Sequence, residues 1–192
     1  MKTVYTFLIL SILGFSASAS TPDFLAELNH TATLSSIHSL NPEGLQWKVG
    51  DTMNYDISIA AFGKLGSMIK TVTKDEGTSL WMKETMNLAG RQDVAEIQLN
   101  KEDGKILKLI HNGQDQAIPD EQIEIISEDY TQITVPAGTF DVLHIVAKSK
   151  DVSKIEAWMN PMATVMDGAV KQVMATQFGD LTMDLTSFKH GN

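Results

Sequence analysis

From Trp47 onward, apolar and polar residues alternate with period two along most of the chain, the pattern of strands that bury one face and solvate the other. Met53, Tyr55, Ile57 and Ile59 alternate with Thr52, Asn54, Asp56 and Ser58. Leu80, Met82 and Met86 alternate with Trp81, Lys83 and Thr85, and Ala95, Ile97 and Leu99 with Glu96 and Gln98. The same reading predicts strands over 105–111, 123–127, 130–135, 140–148, 154–159, 170–177 and 181–188. The β-branched stretch 64–74 joins them.

The connections are short and carry residues that tolerate positive φ, which predicts hairpins rather than helical crossovers. Lys74-Asp75-Glu76-Gly77, Glu102-Asp103-Gly104, Asn112-Gly113 and Gly179-Asp180 are such turns. In Val135-Pro136-Ala137-Gly138-Thr139, proline presets the turn and Gly138 suits a bulge beside it. The expected fold is mostly β: one curved antiparallel meander of about ten strands, an unclosed half-barrel. A sheet of this kind must close, pack on a second sheet, or receive a cover. Two segments could cover it. In 21–40, Thr21 and Pro22 suit a helix start, and Phe24, Leu25, Leu28, Leu34 and Ile37 form an apolar stripe. In 161–168 there is room for no more than two helical turns.

The start of the chain changes the picture of where this domain works. Lys2, an apolar run from Val4 to Phe15 and the small-residue exit Ala17-Ser18-Ala19 read as a cleaved secretory signal peptide, and the run is too short to span a bilayer. The expected organisation is therefore a signal peptide over 1–19, a helical cover segment over 20–44 and an antiparallel β domain over 45–192. No cysteine follows the cleavage region, so lipid attachment at a thiol is not expected, and the product should be released into the periplasm or medium without stable membrane insertion. Without disulfides, stability must come from packing and hydrogen bonding. The formal charge of −9, one unit more negative once Lys2 is removed, argues against nucleic acid as a partner.

Trp47-Lys48-Val49-Gly50-Asp51, Val135-Pro136-Ala137-Gly138-Thr139-Phe140, Trp158-Met159-Asn160-Pro161 and the stretch from Gly168 to Phe188 carry a resemblance. Together they resemble a group of bacterial periplasmic β-proteins similar in architecture to the outer-membrane lipoprotein carriers. That resemblance implies a half-barrel with helical segments in its concave face, and carriage of lipid or of a lipoprotein anchor. It transfers no site residue.

Candidate chemistry is sparse. The ten methionines include Met159, Met162 and Met166, whose spacing could gather soft sulfur ligands for Cu(I), although no histidine lies nearby in sequence. The alternative is that methionine fills irregular apolar space and lines adaptable surfaces. His30, His38, His111, His144 and His190 show no metal-ligand spacing, and His144, in a strand on the face of Phe140, Val142 and Val146, reads as a hydrogen-bonded core histidine. There is no nucleophile elbow or phosphate loop, so no catalytic residue, metal site or cofactor is assigned. The leading expectation is a non-enzymatic binding protein that cradles an apolar ligand. Met53, Tyr55, Ile57, Leu80, Met82 and Met86 would line the site, or else make plain core. The alternative is an envelope protein–protein interaction or scaffold module with a filled core. A hydrolase and a Cu(I)-binding protein rank below both.

Overall fold

The computed structural model describes residues 44–118, 123–149, 152–176 and 178–192. The signal peptide over 1–19 and the helix expected over 21–40 lie outside these residues. Eleven strands follow one another: β1 (Thr52–Ile59), β2 (Gly63–Asp75), β3 (Ser79–Leu88), β4 (Arg91–Asn100), β5 (Ile106–His111), β6 (Gln114–Gln116), β7 (Glu124–Val135), β8 (Gly138–Lys148), β9 (Ile155–Met159), β10 (Ala169–Thr176) and β11 (Gly179–Lys189). They form one antiparallel sheet in the order β6-β5-β4-β3-β2-β1-β11-β10-β9-β8-β7. Each half is a meander, and the β1–β11 pairing joins the halves. The sheet is unclosed, with β6 and β7 at its edges.

Period two in the sequence becomes one buried face. Along β1, Met53, Tyr55, Ile57 and Ile59 are buried and the residues between them half-buried. Leu80, Met82, Ile97, Leu99, Leu181, Met183 and Leu185 continue this inner face on neighbouring strands. Seven methionines join the main core cluster: Met53, Met68, Met82, Met86, Met166, Met174 and Met183. A second, smaller cluster of Leu143, Ile145 and Met159 lies toward β7.

The sheet curls. Strands lie about 4.8 Å apart, so β8 and β11, three positions apart, would be separated by roughly 14 Å if flat. Yet Ala137, in the β7–β8 turn, donates its N–H to the Leu185 carbonyl of β11 at 3.0 Å. Phe140 of β8 meets Phe188 of β11 edge to face. This approach is possible because β10 pairs with β11 only over Lys171–Thr176, which leaves the far end of β11 open on that side.

Three expectations change. The strands expected at 123–127 and 130–135 are one, because Glu128 and Asp129, which look like a break, lie on a solvated edge strand where charge is tolerated. The three-residue β6 is too short to leave a periodic signal. The 161–168 cover is a series of turns rather than a helix. Asn160 accounts for this: its side-chain oxygen accepts N–H groups from Met162 and Ala163 and its carbonyl accepts from Ala163 and Thr164, while the Asn160 N–H is donated to the Gly168 carbonyl. Gly168, at φ +70°, closes the loop where a Cβ would collide with the Asn160–Pro161 backbone.

Candidate functional site

The alternation that builds the inner face carries two charges into it. In β2 the inward frame reads Met68, Lys70, Val72, and in β3 it reads Met82, Glu84, Met86. Lys70 and Glu84 are direct cross-strand partners, so a cation and an anion face each other in the middle of the sheet. Both are buried, at 1% and 3% exposure. Lys70 Nζ lies 3.6 Å from Glu84 Oε1 and donates to Asp167 Oδ2 at 2.9 Å. Tyr55 of β1 stands beside them, its ring centroid 5.8 Å from Lys70 Nζ. Its hydroxyl donates to the Ala169 carbonyl at 2.8 Å.

Asp167 belongs to the loop between β9 and β10, so this loop reaches across the inner face as far as β2. Thr164, Val165, Met166 and Asp167 are buried there, and Val165 and Met166 enter the main core cluster. Asp167 Oδ1 also accepts the Ala169 N–H at 3.1 Å, which fixes the carboxylate over Lys70. The 160–168 segment is thus held over the sheet by apolar contacts and one buried ion pair, with no strand ladder along its length.

Burial alone would lower the pKa of Lys70, but the charges of Asp167 and Glu84 outweigh it and hold the ammonium above its ordinary range. The Tyr55 hydroxyl is pushed well above the usual phenol value by burial, then by Asp167 and Glu84, so it stays neutral and serves as a donor. A paired ammonium, two carboxylates and a neutral phenol are thus buried together, and the Lys70–Asp167 pair latches the 160–168 segment to the sheet.

All six residues expected to line a ligand site, Met53, Tyr55, Ile57, Leu80, Met82 and Met86, lie on this inner face and are 0–5% exposed in one core cluster. Sequence reasoning reached this face but missed Lys70, Glu84 and Asp167. The first two were detectable as charges of opposite sign standing in inward positions of adjacent strands; Asp167 left no such signal.

The outer face carries a different row. Asp129, His144, Trp158, Lys171 and Asp184 are register partners across β7 to β11. His144 hydrogen-bonds Asp129 at 3.1 Å and Glu156 at 3.0 Å and stacks on Trp158 at 4.4 Å. Burial raises the pKa of Glu156, but the hydrogen bonds from Lys154 and His144 outweigh it and hold this carboxyl below its usual range. Lys171 Nζ also lies over the Trp158 ring, 6.0 Å from its centroid. Met159, Met162 and Met166 do not come together: Met159 and Met166 are buried in different clusters and Met162 is 92% exposed. An open depression of about 750 Å³ bounded by Trp47, Lys48, Thr78, Asn100, Lys101 and Glu102 is lined by none of the six predicted residues. Among the described residues, no group of three or more His, Asp or Glu side chains is gathered as for a metal ion, and no helix is long and apolar enough to cross a membrane.

No protein-family profile and no curated protein matches the chain. Solved structures do resemble it. The hypothetical protein CT021 from Chlamydia trachomatis is 8% identical, with a TM-score of 0.50 over 76% of this chain and 89% of that one. A protein of Bacteroides fragilis NCTC 9343, described as exported and of YmcC-like fold, is 11% identical over 78% of this chain and all of its own length, TM-score 0.48. A protein of Parabacteroides distasonis ATCC 8503, described as a lipoprotein, is 11% identical over 76% of this chain and 97% of that one, TM-score 0.43. At such identities the likeness concerns the fold alone: this chain shares with the Chlamydia protein a β-rich architecture.

Proposed function

We propose that this chain is an exported, non-enzymatic binding protein whose inner sheet face takes an apolar ligand, such as an acyl chain or the lipid anchor of a lipoprotein. One observation carries the reading: six methionines of the sheet, Met53, Met68, Met82, Met86, Met174 and Met183, line its buried face, and what covers them among the described residues is a turn-built segment, itself carrying Met166, rather than a second sheet. Methionine is unbranched and polarizable, so a face rich in it repacks around foreign apolar shapes at little cost. Ligand entry would require the 160–168 segment to lift from the part of the face around Tyr55 and Lys70, where Asp167 holds it. The signal-peptide pattern in Lys2–Ala19 supports export, and the acidic surface makes nucleic acid an unsuitable partner.

A second reading, an envelope interaction module with a filled core, is favoured by β7. This twelve-residue edge strand exposes Ile126 at 56% and Tyr130 at 87%, a form suited to strand addition by another protein.

The test is to purify the exported form without detergent, extract it, and measure extract and intact protein by mass spectrometry. Stoichiometric lipid or fatty acid is the outcome expected of the binding protein. A bare native mass with nothing extractable would move the assignment to the interaction module.

A further inference from the structure

One polar side chain on the inner face has no part in the latch. Gln172, in β10, is 6% exposed, and its Oε1 has no hydrogen-bond partner. It stands in register between Ala157 of β9 and Met183 of β11, with Val170 and Met174 two residues away on the same face. Every neighbour named is apolar. An unmet buried carbonyl in such surroundings is destabilising, since the oxygen has lost water without gaining a donor. Most buried polar atoms in folded proteins are satisfied, so this exception calls for a cause.

Its position supplies one. The row Ile145, Ala157, Gln172, Met183 crosses the inner face from the small cluster around Leu143 to the main core. The two clusters are separate, and the interruption falls where the row places its smallest side chain, Ala157, next to its only polar one. A ligand lying along the face would bridge the apolar groups on either side and bring its polar end to Gln172.

Resting on the binding reading above, we propose that Gln172 Oε1 is the polar contact of the ligand site and that it selects an apolar chain whose head carries a hydrogen-bond donor, an amide N–H or a hydroxyl. An unpaired acceptor discriminates strongly, because a ligand without a donor leaves it unmet in the complex.

The test compares two probes of equal chain length, palmitoyl ethanolamide and ethyl palmitate, titrated into the delipidated exported protein by displacement of a fluorescent fatty-acid analogue. The wild-type protein should bind the amide about tenfold more tightly, the factor one satisfied buried hydrogen bond gives. Gln172→Leu should lose that preference while keeping its affinity for the ester. Equal affinity of the wild-type protein for both probes, tighter binding of the ester, or a preference that survives in Gln172→Leu would overturn the role of Gln172 and leave the binding reading standing. Failure of the wild-type protein to bind either probe or displace the analogue would overturn both. Thermal melting separates recognition from structure: Gln172→Leu should melt higher than wild type, whereas a lower Tm would mean that the amide is a structural group and would overturn the proposal.

Discussion

At the scale of single residues, the arrangement around Lys70 is unusual for the middle of an apolar face. Three charged side chains are desolvated there, and the gain from their pairing must be set against the cost of removing each from water. The asymmetry of that balance gives a sharp expectation. Lys70→Met leaves Glu84 and Asp167 buried without their cation, and should lower the unfolding free energy by about 3–5 kcal/mol in urea titrations. The triple change Lys70→Met, Glu84→Leu, Asp167→Leu removes all three charges and should recover most of that loss. A triple variant no more stable than Lys70→Met would mean that the charges, not merely their mutual compensation, hold this part of the fold. Both inward charges were visible in the sequence as breaks in an apolar frame. Their partner was not, because Asp167 lies 97 residues beyond Lys70 in an irregular segment.

At the scale of elements, the 160–168 segment and β7 hold the functional possibilities. Asp167→Asn keeps the shape of the latch and removes its charge, so the segment should lift more often. The variant should unfold at lower urea and take up an acyl probe faster than wild type in stopped-flow fluorescence, since the apparent affinity of a covered site scales with its open fraction. Gly168→Ala acts on the same segment differently. It requires a side chain at φ +70° pressed against the Asn160–Pro161 backbone, and should cost about 1–3 kcal/mol from the strained backbone alone. The β7 edge gives the opposite signature. Ile126→Lys with Tyr130→Lys should leave the unfolding free energy within about 0.5 kcal/mol of wild type in urea titrations, because these side chains bury little. Under the interaction reading, the same pair of changes abolishes partner capture by the exported protein in chemical crosslinking; unchanged crosslinking would remove β7 from consideration.

For the whole molecule, the direction of the shifted groups sets the pH window of stability. Lys70 has a folded pKa above its unfolded value of about 10.4, so its contribution is complete below that pH and is lost as the pH rises through the folded value. Glu156 has a folded pKa below its unfolded value of about 4.3, so its contribution is complete above that pH and is lost as the pH falls through the folded value. Asp75, held down by the hydrogen bond from Lys101, and Glu76, held down by Lys74, act in the same direction as Glu156 from the exposed β2–β3 turn. These groups give a plateau across neutral pH, with stability falling at both ends. In urea titrations over a pH series, Glu156→Gln should flatten the acid limb and leave the basic limb unchanged. An acid limb as steep as that of wild type would assign acid sensitivity to other carboxyls.

What the sequence by itself determined is local. Alternation placed the long strands and told the buried face from the solvated one, because side chains in a strand change sides at every residue whatever the strand pairs with. The turn residues Gly77, Gly104, Gly113 and Gly138 marked hairpins for the same reason, since positive φ is a property of one residue and its neighbours. The inward placement of the six residues from Met53 to Met86 followed directly from that alternation. The tertiary structure alone decided what required distant parts of the chain to meet. It made one strand of 124–135, where edge exposure admits Glu128 and Asp129, and turned 161–168 into a string of turns around Asn160. It also brought Asp167 over Lys70 and left Gln172 facing apolar neighbours without a donor. Whether an inward polar side chain is latched or left unmet depends on what the curl of the sheet brings above it, and no periodicity along the chain records that.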